Sequence, residues 1–364
     1  PWAAKEEHIV PVGRIDERDT MFSRDILEPG GERYEAYYRR HPERQPGDDA
    51  FRRNPGLLSK DALFYDPFIF PAAAANFELI EKNRDFVDGS VASHRQEWDG
   101  KELSAHLRQL ALKYGALSAG ITALEDYHLY SYRGRRHNYG EPVDNRHTHA
   151  LALTVEMDHD YVRNAPYAYC VLESSRQYVR SGIIAVWMAQ IIRDLGYSAR
   201  AHIDGEYEVV CPLVARDAGL GEIGRMGLLM TPELGPRVRI AVVTTSAPLM
   251  ENGRNEDPSM IDFCTSCKKC ADVCPSRAIS FDGRREIDGV LRWQIDQQAC
   301  FTYWTKTGTD CARCMSVCPY SHPHTPLHNL VRHGLRHSPE FRMLAVKMDD
   351  HLYGRKPPPL HVKR

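Results

Sequence analysis

Apolar residues fall into a regular order only from about residue 100. Leu103, Leu107, Leu110 and Tyr114 recur at three- and four-residue steps, the period of a helix face, and Gly115 stands where that helix would stop. His149 to Met157 is an apolar run of strand length. Ser174 and Ser175 are cap-type residues ahead of a long helix. Its apolar sector holds Tyr178, Val179, Ile183, Val186, Trp187, Ile191 and Leu195, and Gly196 marks its end. Ser198 to Ile203 and Val238 to Thr245 read as further strands. This alternation predicts an α/β (α+β) sheet domain over residues 100–254.

On either side the pattern is weaker. The first sixty residues are rich in Arg, Glu, Asp, Pro and Gly. Residues 1–99 are expected to form an N-terminal arm wrapping the core, anchored by Met21, Phe22, Tyr34, Tyr37 and Tyr38; a disordered tail is the alternative. Residues 326–364 are a C-terminal tail whose Pro357, Pro358 and Pro359 are linker-like. The longest apolar run, Gly182 to Ile192, is broken by Gln190 and is too short to cross a bilayer. No signal peptide or twin-arginine leader is visible, and the chain starts at Pro1. The expected location is cytoplasmic as the chain stands; the alternative is an exported, membrane-associated protein whose leader is missing from it. With 47 Lys and Arg against 49 Asp and Glu, the bulk field favours no nucleic-acid partner.

Eight of the ten cysteines lie between residues 264 and 318. Cys264, Cys267, Cys270 and Cys274 precede Pro275; Cys300, Cys311, Cys314 and Cys318 precede Pro319. In ferredoxin-type sequences with this spacing, three thiolates of a run hold one 4Fe–4S cluster and the cysteine before proline reaches across to the other. Cys264, Cys267, Cys270 and Cys318 are therefore expected on one cluster, and Cys274, Cys300, Cys311 and Cys314 on the second. Zinc is the weaker reading, because it takes two separated pairs of ligands and not a three-plus-one run. Disulfides suit small secreted domains, whereas 364 residues at 42% hydrophobic content can bury a large core without them. Residues 255–325 are thus read as a ferredoxin-like domain that moves single electrons. The gap from Cys300 to Cys311 exceeds what a short ferredoxin contains, and it holds Phe301, Tyr303 and Trp304.

Ahead of the cysteines stands Ala218-Gly-Leu-Gly-Glu-Ile-Gly-Arg-Met-Gly-Leu-Leu229, followed by Gly235-Pro-Arg-Val-Arg239. Alone, such a segment signals little more than tight turns. Together with the cysteine runs in this order, it resembles the corrinoid-dependent reductive dehalogenases over about residues 100–330. The resemblance implies a nitroreductase-like domain holding cobalamin or a related cobamide, with Gly219, Leu220, Gly221, Gly224, Arg225, Met226, Gly227 and Leu228 as cofactor-binding residues. It implies an organohalide substrate, an external low-potential electron donor, and an anchoring membrane protein as an open option. It also implies a tyrosine acid on the long helix, Tyr178, assisted by a basic residue, Arg239. The third polar position, an asparagine in some members, falls at Asp204, and a carboxylate there opposes a phenolate unless it is itself paired. Trp304 matches a pocket-lining tryptophan of the family, and Tyr127 is read beside it as a residue of the substrate pocket. Asp126-Tyr-His128 nearly matches a motif that ligates cobalt through histidine, but lacks its final glycine, so His128 is not expected to bind metal.

Two other functions compete with this one. An epoxyqueuosine reductase-like cobalamin enzyme acting on tRNA would call for a basic face and a helical extension past the clusters. A non-catalytic electron-transfer ferredoxin would leave the sheet domain and the glycine-rich segment without a purpose.

Overall fold

The fold is given by a computed structural model that describes residues 13–255 and 257–360. Four strands form its centre: β1 (Ser118–Ala123), β2 (His149–Glu156), β3 (Ala199–His202) and, after a short hairpin of β4 (Glu222–Ile223) and β5 (Leu229–Met230), β6 (Val238–Thr245). They pair in the order β1-β2-β6-β3, antiparallel at every ladder. β2 and β3 flank β6 and so run parallel to each other. The chain between them is a helical crossover with one strand inserted, a split βαβ unit. This explains a helix–strand alternation in the sequence although no two neighbouring strands are parallel.

Ahead of β1 stand α1 (Met21–Asp25), α2 (Glu32–Arg40), α3 (Gln45–Arg52), α4 (Ile69–Lys82) and α5 (Gly100–Lys113); α6 (His159–Arg163), α7 (Ala168–Asp194) and α8 (Cys211–Asp217) lie between the strands. Successive side chains of a strand face opposite sides. Leu151, Leu153 and Val155 of β2 pack with Leu103 and Leu107 of α5 and with Ile184, Met188 and Ile192 of α7. Ala150 and Ala152 pack the other way, with Val214 and Ala215 of α8. β2 is covered on both faces, hence its unbroken apolar run. Gly115 and Gly196 end α5 and α7 at φ +103° and +89°, backbone open mainly to glycine.

The long helix begins earlier than its serines suggest. α7 starts at Ala168 behind Tyr167, and Ser174 and Ser175 lie inside it. Ser175 Oγ donates back to the Leu172 carbonyl at 2.8 Å, while Ser174 serves a partner distant in sequence. Trp187, placed by periodicity in the buried sector, is 48% exposed and lies against Tyr114 at 4.8 Å.

Past the sheet follow α9 (Pro258–Cys267), α10 (Lys269–Val273), the strand pair β7 (Arg285–Ile287) and β8 (Val290–Arg292), α11 (Gln297–Thr307), α12 (Arg313–Ser316), α13 (Pro326–His337) and α14 (Pro339–Tyr353). Ahead of the linker-like prolines of the tail, α13 and α14 fold back on α9, burying Leu335 and Ala345. Of the helices of residues 13–99, α4 packs an apolar stripe of Ile69, Phe70, Ala73 and Ile80 on the core, whereas the short α1 to α3 are held largely by tertiary bonds. Tyr38 donates to Asp48 Oδ2 at 2.8 Å, Tyr34 to Asp49 Oδ1 at 2.8 Å, and Asn54 to Thr305 Oγ1 of α11 at 2.9 Å. Among the described residues no helix is long and apolar enough to cross a membrane.

α4 packs on α7 at Gly182, where an added Cβ would come within 2.4 Å of Ile80 Cδ1 and 3.5 Å of Ile203. Gly182→Val is therefore expected to force the helices apart. The loss should be about 1–3 kcal/mol, as for other overpacked core sites, read as a lower denaturant midpoint with an unchanged slope.

Candidate active site

The two cysteine runs make the same local turn. Asp257 caps α9 through the Ser259 amide at 3.0 Å, and α9 carries Cys264 and Cys267. Lys268 is left-handed at φ +54°, and α10 restarts with Cys270. In the second run α11 carries Cys300 and ends at Gly308; Ala312 is left-handed at φ +49°, and α12 carries Cys314. Cys274 and Cys318 are both extended ahead of their prolines. Cys267 to Cys274 and Cys311 to Cys318 thus correspond position by position, and α10 packs on α12.

This arrangement brings Cys318 to Cys264, Cys267 and Cys270, and Cys274 to Cys300, Cys311 and Cys314. Cys314 also senses Cys270, so the two groups adjoin. None of the eight is in a disulfide. Burial, with neighbouring thiols adding to it, pushes Cys267 and Cys270 up to about 12 and Cys300 up to about 11. A thiolate at such depth needs a cation beside it, which cluster iron supplies. Among the described residues no three His, Cys, Asp or Glu side chains converge on a point small enough for one ion.

Tyr178 lies well inside α7, one turn beyond Ser174 and on the same helix face. Arg239 reaches both from β6. Its guanidinium carbon stands 4.6 Å from the Tyr178 ring centroid, and its Nη2 donates to Ser174 Oγ and, at 3.0 Å, to Asp310 Oδ2. Ser174 Oγ also donates to Asp310, which directly precedes Cys311. Burial holds the Tyr178 phenol above the usual tyrosine range; Arg239 opposes that rise, and Asp204 and Asp310 add to it. Asp204 sits in the turn after β3 with Gly205 at φ +72°, where an added Cβ would meet Arg84 Nη2 at 2.4 Å. It lies within charge reach of Arg84, Arg135 and Arg136, so the carboxylate has cationic partners.

Several residues around Tyr178 carry no motif in the sequence. Tyr207 is partly buried, and its phenol is raised well above the ordinary range by burial, then by Asp204 and Tyr178. Arg135 adjoins Glu17 of the arm, Nε to Oε1 at 3.2 Å, and its guanidinium carbon is 5.0 Å from the Phe22 ring centroid. Phe22 lies 5.9 Å from Trp304 and 5.4 Å from Phe301, so the arm and α11 share one aromatic cluster. Trp304 stands on a helix, not in a loop.

Tyr127 belongs to a different constellation. Its hydroxyl donates to Asp217 Oδ2 at 2.6 Å, and Asp217 also takes His128 Nε2 at 2.9 Å and Arg216 Nε at 2.7 Å. His128 Nδ1 accepts the Glu125 amide at 3.1 Å, which leaves Nε2 as the protonated nitrogen. The His128 ring is fully buried with both nitrogens engaged, so it has none to offer a metal. The glycine-rich segment is the hairpin of β4 and β5, closed by Gly224 N to Leu228 O at 3.0 Å. At Gly224 a Cβ would lie 2.7 Å from Met230 Cγ and 3.4 Å from Cys264 Sγ, so glycine lets the hairpin rest on the first cysteine group. Arg225 is wholly engaged below it. Its guanidinium donates to the carbonyls of Cys264, Ser280 and Asp282 at 2.7–3.0 Å and covers Trp293. Leu220 and Met226 pack into the two adjoining cores.

A family model for the 4Fe–4S dicluster domain matches residues 263–322. The tetrachloroethene reductive dehalogenase of Sulfurospirillum multivorans is 33% identical over 222 residues, which are 59% of this chain and 44% of that protein. A solved reductive dehalogenase, whose structure is described as suggesting a mechanism for B12-dependent dehalogenation, superimposes with a TM-score of 0.73 at 28% identity. The match covers 84% of this chain and 46% of that one. This chain is a relative of the reductive dehalogenases. It spans less than half the length of either dehalogenase it matches here. An epoxyqueuosine reductase of Lactococcus garvieae is a more distant match, 30% identical over 144 residues and 38% of each chain. The dicluster match takes in all eight cysteines from Cys264 to Cys318.

Proposed function

We propose that the chain reductively removes halide from an organohalide, using a cobamide and two 4Fe–4S clusters, with Tyr178 as the proton donor. The observation that carries this is the Arg239 guanidinium 4.6 Å over the Tyr178 ring, beside the segment that leads into Cys311. Cys264, Cys267, Cys270 and Cys318 would hold one cluster, and Cys274, Cys300, Cys311 and Cys314 the other. The backbone of the hairpin from Gly219 to Leu228 would hold the cobamide, since the side chains of Leu220, Arg225 and Met226 are already packed. The site fits a polar group, because Arg239 Nε and Asp310 Oδ1 beside Tyr178 are buried without a hydrogen-bond partner among the described residues. In this reading residues 1–99 are the arm, 100–254 the cobamide domain, 255–325 the cluster domain and 326–364 the tail.

When bound, the cobamide and clusters supply strongly reducing electrons for cleavage of the carbon–halogen bond. The chain's own residues supply the proton. Replacing halide by hydrogen takes two electrons and one proton, and the Tyr178 hydroxyl gives that proton to the carbon. The guanidinium of Arg239 stabilises the phenolate left behind. Asp204, balanced by Arg84, Arg135 and Arg136, keeps the phenol protonated until the proton is needed. The aromatic cluster of Phe22, Phe301 and Trp304 walls the substrate side.

The test is a cobamide-loaded preparation with chemical reductant, assayed for halide release from tetrachloroethene and from a series of haloaromatics. No release, with reduction of epoxyqueuosine in a tRNA stem loop, would replace the reading. The acid must be protonated to act, so activity is lost as pH rises through the phenol's titration. Because burial lifts Tyr178, the alkaline limb of turnover should lie above that of a free phenol, about pH 10. A limb near neutral pH would assign the proton to another group.

A further inference from the structure

The gap between Cys300 and Cys311 is longer than cluster binding requires, and its last residue is Asp310. We infer that Asp310 is a positioning residue, which holds Arg239 over the Tyr178 ring through a three-way contact with Ser174. The inference rests on the reading of Tyr178 as the proton donor and adds to it the part that keeps the donor's partner in place.

The geometry is direct. Asp310 Oδ2 accepts from Arg239 Nη2 at 3.0 Å and from Ser174 Oγ, and Ser174 Oγ accepts from the same Nη2. Asp310 and Arg239 keep only 11% and 19% of their side-chain exposure. A buried guanidinium has few other acceptors, so one carboxylate oxygen and one hydroxyl fix where its plane lies. Ser174 is one turn from Tyr178 on α7, so the triad ties β6, the long helix and the segment entering Cys311 to one point. Arg239 Nε has no hydrogen-bond partner among the described residues, so the grip on the guanidinium rests on its Nη2 bonds. Gly308 supports the approach of that segment. It is left-handed at φ +77°, and its missing Cβ would lie 2.5 Å from Ala62 Cβ and 2.9 Å from Phe70 Cε2. The extra residues thus bring a carboxylate from the cluster segment to the proton donor's partner.

Loss of position and loss of charge give opposite signs at the phenol. Arg239 acts more strongly on Tyr178 than Asp310 does. Asp310→Ala should release Arg239, and the phenol should then ionise at higher pH. Asp310→Asn keeps an oxygen acceptor and removes only the negative charge, so the phenol should ionise at lower pH. The shift is read in cluster-loaded, cobamide-free protein carrying a fluorinated tyrosine at position 178, by 19F resonance. This readout needs no dehalogenation, so failure of the proposed function would not hide it.

In the loaded enzyme, Asp310→Ala should lower kcat on the order of 10–100-fold, as misplaced catalytic groups do, with KM within about twofold. Asp310→Asn should restore most of that loss. In an Arg239→Lys background, Asp310→Ala should cost nothing further, because both act through one guanidinium. Iron content is the control for neighbouring Cys311. If Asp310→Ala loses iron, Ser174→Ala replaces it, with an upward titration shift of smaller size and the cluster untouched. Downward shifts in both Asp310 variants, no shift in Ser174→Ala, or additive losses with Arg239→Lys would each overturn the positioning role.

Discussion

Tyr178→Phe is expected to lower turnover by roughly 10²–10⁴-fold, the usual worth of a positioned general acid, while folding, iron content and cobamide binding stay at parental levels. The substitution keeps the ring that lies 6.2 Å from Phe77 and under Arg239, and removes only the hydroxyl. The loss should appear in kcat and leave KM little changed. Arg239→Lys should hurt as well. Lysine keeps a charge but not the planar fork that serves Ser174, Asp310 and the ring together. Halide release under a strong chemical reductant, at matched cofactor loading, measures both. Near-parental turnover by the Phe variant would move the acid elsewhere, with Tyr207 the first residue to examine because it lies within charge reach of Tyr178.

The second large effect concerns the clusters. A loaded chain should hold about eight iron and eight acid-labile sulfides, since two 4Fe–4S sites are filled. Cys318→Ala should damage the cluster of Cys264, Cys267 and Cys270, which lies more than forty residues away in sequence, because the structure places Cys318 with those three thiols. Cys274→Ala should damage the cluster of Cys300, Cys311 and Cys314. Electron paramagnetic resonance of the reduced variants separates the two. Loss of the cluster nearest in sequence in either variant would reverse the assignment.

What was legible in the sequence follows from how local each signal is. The strand expected over Val238 to Thr245 has those bounds, and the one expected from His149 stops one residue short of Met157, because a buried strand announces itself by its own residues. The start of α7 was misplaced for a physical reason. Ser174 looks like a cap because short hydroxyl side chains compete for backbone bonds, yet its oxygen is taken by Asp310 and Arg239. α2 and α3 of the arm were hidden because they are tied together by tyrosines bonded to Asp48 and Asp49, contacts that carry no period. Tyr178 and Arg239 were reached by family resemblance, whereas Arg135, Tyr207, Ser174 and Asp310 were not singled out for the site. Their meaning exists only once β6, α7 and the cysteine segment meet. Tyr127 shows the converse: a position suggestive in sequence lies among His128, Asp217 and Arg216.

The matching turns of the two cysteine runs carry one more consequence. Lys268 and Ala312 set the same left-handed corner, and each run sends the cysteine ahead of its proline into the other's territory. A duplicated unit whose copies exchange their last member cannot be trimmed, shuffled or inherited by halves. Either copy alone would leave a vacancy in itself and a surplus thiol pointing at nothing. The exchange therefore makes residues 264 to 318 a single heritable block. Novelty can enter only between the fixed points, as it has in the stretch from Cys300 to Cys311.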